Sequence, residues 1–200
     1  MYQNRRTEKL CIWLQAILLI AAMIAMRSVR VSAAKLPKPH PKTPQFLVFK
    51  IAGVNIWDMK NSKKREGTVL FDPQKGYCLF KFHGADHKSI MLVRVKTVKE
   101  VKQIYDTPGA AWDEITPKLF IGKLTSLSVD HGITVHDSIQ DVIHKLGKPS
   151  DGDFKHGLLT YSYQGGKLNG WSYISAYIFD KHGRLSRISI VMQRGKEVPG

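Results

Sequence analysis

Cysteine is nearly missing from this chain: Cys11 and Cys78 are the two present among 200 residues. Acidic side chains are also scarce, 16 against 31 Lys and Arg. No Gly-x-Ser-x-Gly turn occurs, so the exposed serine nucleophile of the α/β-hydrolases is not announced. The cysteine shortage excludes a disulfide-stapled scaffold. The acid shortage gives a net charge of +15, which attracts anionic partners such as phospholipid, envelope polymer or an acidic protein.

What is there begins with a basic stretch, Arg5, Arg6 and Lys9, followed by an apolar run of 17 residues from Leu10 to Met26. Val31-Ser32-Ala33-Ala34 then supplies the small residues that a signal peptidase cleaves beside. Residues 1–33 are therefore read as a signal peptide, and the chain as extracytoplasmic, periplasmic or secreted. Arg27 and Arg30 lie on the side to be translocated, and 17 residues is the short limit for a bilayer. An uncleaved N-terminal membrane anchor is the rival reading. Residues 1–33 carry a balance of +4, which leaves +11 of the +15 on the remainder. Cleavage would leave Cys78 alone, without a disulfide partner; beside Phe80 and Phe82 it reads as a small apolar side chain.

Residues 34–45 form a Pro-rich linker with Pro37, Pro39, Pro41 and Pro44. Residues 46–126 read as a β-rich region with two short helices. Strands are expected at Phe46–Val54, Gly67–Phe71, Tyr77–His83 and Ser89–Lys96, as a meander. Thr97-Val98-Lys99-Glu100 has the capping-box form and opens a helix over 98–106. Thr107-Pro108 opens a second helix, with Trp112, Ile115 and Leu119 on its buried face.

Residues 127–194 read as one helix and a three-stranded antiparallel unit. Ser138-Ile139-Gln140-Asp141 caps the helix, Ile139, Val142, Ile143 and Leu146 make its apolar stripe, and Gly147 and Pro149 end it. Strands follow at Leu158–Tyr163, Trp171–Asp180 and Arg184–Met192, with a hairpin turn at Asp180–Gly183. The fold class expected is α+β: antiparallel sheets, a few short helices, and a C-terminal helix plus three-stranded meander.

The run Gly132, Ser138, Val142, Leu146-Gly147-Lys148-Pro149, Tyr161, Phe179, Gly183 and Ile188 resembles a repeat of exported bacterial domains with the β-lactamase-inhibitor-protein-like fold. Small outer-membrane assembly lipoproteins of the SmpA/OmlA type share it. The resemblance implies a binding or scaffold role rather than catalysis. It covers the C-terminal region, and the lipid-attachment cysteine of those lipoproteins has no counterpart here.

Three sets of residues are candidates for function. Alternation along 171–180 puts Ile174, Ala176 and Ile178 on one face and Trp171, Tyr173, Tyr177 and Phe179 on the other. Packing the helix on the small face would leave the aromatic face, bordered by Tyr161, Tyr163, Arg184 and Arg187, either as a binding surface or covered by the 46–96 strands inside one larger core. Lys60, Lys63, Lys64 and Arg65 lie within six residues and suit an anionic group. His83, Asp86 and His87 are metal candidates for a metal-dependent hydrolase, in an expected turn and without a further identifiable ligand. No cofactor motif is present, since Gly165-Gly166-Lys167 joins two expected strands rather than a strand and a helix. The expected partner is a protein or an anionic envelope component, with possible membrane association through the N-terminal segment. Export argues against nucleic acid.

Overall fold

A computed structural model describes residues 46–106, 117–164, 168 and 170–194. The second expected helix, up to residue 116, and the Gly165-Gly166-Lys167 loop lie outside the described residues, as do the expected signal peptide (1–33) and linker (34–45).

The chain enters through a short ribbon, β1 (Lys50–Ile51) and β2 (Val54–Asn55), turned by Ala52 and Gly53 at φ of 50° and 83°. Three hairpin-linked strands follow: β3 (Glu66–Asp72), β4 (Tyr77–His83) and β5 (His87–Arg94). Helix α1 (Val98–Tyr105) leads to β6 (Lys118–Ile121). Helix α2 (Ile139–Leu146) precedes β7 (Asp151–Asp153), β8 (Leu158–Gln164), β9 (Trp171–Phe179) and β10 (Leu185–Arg194). Strands β3 to β10 make one eight-stranded sheet in the order β6-β3-β4-β5-β10-β9-β8-β7. The β3–β6 pair is parallel and the others are antiparallel.

The fold class expected from sequence is thereby corrected. The described chain is mostly β, with two α-helices, and its sheet is mixed. The C-terminal meander is not a separate unit, because β10 pairs with β5 from Arg187↔Val93 to Gln193↔His87. An edge of β10 left open would have been a row of unpaired N–H and C=O groups. Pairing with β5 satisfies them and fuses the two expected halves. Arg94 reinforces the join: its guanidinium meets Asp180 at 2.8 Å and donates to the Tyr77 hydroxyl at 3.1 Å.

Each face of the sheet has its own core. The second face carries Val69, Phe71, Cys78, Phe80, Phe82, Met91 and Val93, covered by Val98, Val101, Ile104 and Tyr105 of α1. The first carries Leu79, Ile90, Leu92, Leu159, Tyr161, Tyr173, Tyr177, Ile188 and Ile190. Val142 and Leu146 of α2 cover it, together with Leu47, Val48, Ile51, Ala52 and Ile56. Residues 46–54 are thus a plug rather than the expected long strand. Leu47 and Val48 are buried together, as are Ile51 and Ala52, which a half-exposed strand forbids.

Backbone groups of the plug are satisfied by side chains. Tyr173 Oη accepts from Val48 N and donates to Val48 O, both at 3.0 Å. Asp130 Oδ2 accepts from Phe49 N and Lys50 N, each at 2.9 Å. Both helices begin as expected, with small differences at the caps. Ser138 and Asp141 form the reciprocal capping box of α2. Thr97 accepts from Glu100 N, but the Glu100 carboxylate reaches Lys96 N instead of closing the box on Thr97.

Tyr173→Phe strips buried Val48 of both partners and is expected to cost about 1–3 kcal/mol of unfolding free energy. Tyr177 is also buried, but among the described residues its hydroxyl finds no partner of good hydrogen-bond geometry and has only the Ser175 hydroxyl beside it, so Tyr177→Phe is expected to cost clearly less than Tyr173→Phe. Urea unfolding of the two variants checks the pair; equal losses would refute the assignment.

Asp72 Oδ1 accepts from Gln74 N and Lys75 N at 3.0 Å, and Oδ2 accepts from Leu124 N at 2.9 Å. The N–H groups of Lys75 and Leu124 hold its carboxyl below the ordinary 3.8. A depressed carboxylate stabilises the fold above its unfolded value and loses that effect as pH falls through the folded one. The urea midpoint is therefore expected to drop between about pH 5 and about pH 2. Asp72→Asn should lower the midpoint near neutrality and flatten that drop.

Candidate functional site

The end of the sheet where β4 turns into β5 carries five exposed basic residues: Lys60, Lys63, Lys64, Arg65 and Arg194. Met59, which follows the plug, is fixed there by Lys88, whose Nζ donates to Met59 O at 2.6 Å. The same ammonium lies 5.7 Å from the Trp171 ring centroid, within cation–π range. Lys88 is 4 % exposed, and burial lowers its pKa while Asp58 acts to raise it. From this anchor the chain swings outward, and Lys60, Lys63, Lys64 and Arg65 are all exposed. Ser62 Oγ donates to Glu66 at 3.5 Å, near the start of β3.

Arg65 returns over the β4–β5 turn. A Cβ placed on Gly84 would lie 3.2 Å from Arg65 Cγ, so glycine there admits the arginine stem. Arg194, exposed at the end of β10, is brought to the same turn by its N–H, which donates to Asp86 O at 2.9 Å. Three carboxylates are exposed nearby, Asp58, Glu66 and Asp86. The exposed cations outnumber these carboxylates, so the surroundings of the turn are net positive.

The basic loop and the histidine turn, read separately from sequence, thus adjoin. They do not form a metal centre. His83 pairs across the ladder with Lys88, on the first face, so His87 projects to the second. His83 Nε2 lies 3.9 Å from Glu66 Oε2, and its Nδ1 is buried without a partner among the described residues. Burial, then the Arg65 charge, lowers the His87 pKa. Among the described residues, no three His, Cys, Asp or Glu side chains are grouped to hold a metal.

The aromatic set is placed otherwise than expected. The division into two faces holds, but α2 and the plug cover the aromatic side. Tyr161, Tyr173, Tyr177, Trp171 and Phe179 are buried, and Tyr163 is half-buried against them. They build the core and offer no surface. The reason lies in their hydroxyls: Tyr173 bonds Val48, and Tyr161 donates to Gly147 O at 2.9 Å. A large ring with a polar tip can reach backbone in the covering layer, whereas Ile and Ala cannot. Arg187 alternates with Ile188 and so lies on the second face, half-buried, and Arg184 is exposed beside the Asp180–Gly183 turn. Neither borders the aromatic rings.

Lys88 and Arg194 were not singled out by sequence reasoning. A signal for Lys88 exists: it shares the period of Ile90 and Leu92, a cation at an inward position. Arg194 carries none, because only the β5–β10 pairing brings it to the turn. In comparisons with family models, curated proteins and solved structures, nothing matches this chain.

Cys78 is buried in the second core, and burial raises its thiol pKa to about 12. In a Cys11→Ser variant at about pH 8, its reaction with a thiol-specific disulfide reagent is expected to be at least ~100-fold slower than after unfolding in guanidinium. Fast labelling of the folded protein would show a reactive thiol instead.

Proposed function

We propose that this chain is an exported, non-catalytic binding domain that holds an anionic partner at the basic end of its sheet. The observation that carries the reading is the joint exposure of Lys60, Lys63, Lys64, Arg65 and Arg194 around one turn. Lys88 and Trp171 anchor the base of the loop, so the charges are presented from a fixed stem. The partner is a phosphate- or carboxylate-bearing component of the cell envelope, a lipid surface or an acidic polymer. The N-terminal segment, as signal peptide or as anchor, supplies the route across the membrane. The resemblance of the C-terminal region to SmpA/OmlA-type lipoproteins supports a binding or scaffold role.

Co-sedimentation with phosphatidylglycerol vesicles, against phosphatidylcholine vesicles, tests the reading. A basic side chain near an anionic surface contributes about 1 kcal/mol. Lys63→Glu with Lys64→Glu is therefore expected to weaken binding at least ~10-fold. Raising salt from about 0.1 M to about 1 M should release the wild-type chain. Binding that ignores both changes would overturn the assignment.

A further inference from the structure

At the opposite side of the sheet from β7, β6 is an outer strand, paired with β3 alone among the described residues. Its side chains are unusual for a free edge. Phe120 is 53 % and Ile121 66 % exposed, and they belong to the three large apolar side chains exposed among the described residues. Being adjacent, they project to opposite faces, so each face of the sheet ends in an uncovered apolar group. Folded proteins usually blunt such an edge, because it can pair with another chain.

The backbone of β6 is ready to pair. Gly122 N donates to Phe71 O at 3.0 Å, which points residue 122 towards β3. By alternation Phe120 points the same way, and Leu119 and Ile121 aim their N–H and C=O groups outward. No hydrogen bond engages these outward groups among the described residues. Exposed Lys118 and Lys123 flank the apolar pair. At about 3.3 Å per residue their backbone separation is roughly 17 Å.

We propose that the β6 edge is a β-augmentation site for an extended segment of another protein, apolar in its middle and acidic at both ends. The strand would add to the sheet through the outward groups of Leu119 and Ile121. Its middle side chains would cover Phe120 and Ile121, and its terminal carboxylates would meet Lys118 and Lys123. Charge selects this occupant over a second copy. Pairing β6 with its own copy brings two sets of lysines together in a chain of net charge +15. The site is separate from the basic loop and does not depend on that reading.

The probe is a fluorescent, end-blocked hexapeptide, Glu-Val-Thr-Val-Thr-Glu, with a lysine-ended peptide of the same middle as control. Anisotropy with the full chain is expected to show the glutamate peptide binding at least ~10-fold tighter. Lys118→Glu with Lys123→Glu should reverse that preference. Ile121→Pro removes one outward donor while sparing the β3 ladder, and should weaken the glutamate peptide at least ~10-fold with the unfolding midpoint retained. If that variant unfolds, the charge swap still decides. The Lys63→Glu, Lys64→Glu loop variant should change binding less than ~2-fold, which separates this site from the basic end. No binding by the glutamate peptide, equal affinity for the two peptides, or loss of binding in the loop variant would overturn the proposal. A wild-type dimer that Ile121→Pro dissolves would overturn it too, by showing the occupant to be a second copy.

Discussion

An eight-stranded sheet with apolar side chains on both faces has to be covered twice, and one of the covers here is not a helix. The segment from Phe46 to Met59 closes much of the first face, with Leu47, Val48, Ile51 and Ile56 inserted among the tyrosines. Irregular backbone in a core is tolerable only if its polar groups find partners. The Tyr173 hydroxyl serves Val48 twice, and Asp130 serves the next two N–H groups. The Ala52 N–H reaches Ser128 O at 2.8 Å, and Asn55 caps the Trp57 N–H at 2.9 Å. Those bonds fix where the plug ends, and therefore where the basic loop leaves the body.

Much of the fold was legible because local signals and long-range packing agreed. Helix α2 has its cap, its stripe and its glycine stop in sequence, and all three operate in the structure. The hairpins of β3 to β5 and of β9 to β10 follow from alternation and from turns such as Asp180–Gly183. The plug was misread because an apolar run rich in Phe, Val and Ile suits a buried strand and a buried irregular segment equally. Leu119 was assigned to a helix, yet the four residues of β6 pair in parallel with β3. A parallel partner some fifty positions away in sequence leaves no local mark.

The aromatic candidate surface is buried and the basic loop is exposed. Alternation sorted Trp171, Tyr173, Tyr177 and Phe179 from Ile174, Ala176 and Ile178 correctly, but period two cannot say which face is covered. The Tyr161 and Tyr173 hydroxyls bear on it, since Gly147 at the end of α2 and Val48 in the plug offer them backbone partners. The basic loop was visible as a cluster of four cations within six residues. Its surroundings were not, because Lys88, Trp171, Gly84 and Arg194 are drawn from three other strands and a turn. Electrostatics near the turn also depends on packing, as His87 shows: burial and Arg65 together disfavour its protonation.

The bond between Val48 and Tyr173 spans 125 residues. A polypeptide that emerges from a ribosome or a translocation pore from its N-terminus meets this requirement late. Leu47, Val48 and Ile51 leave the exit long before β9 exists, so the hydrophobic plug has to wait without its seat. Seating the plug therefore joins two distant segments and carries the loop-closure entropy of that separation, which neither segment can offset alone.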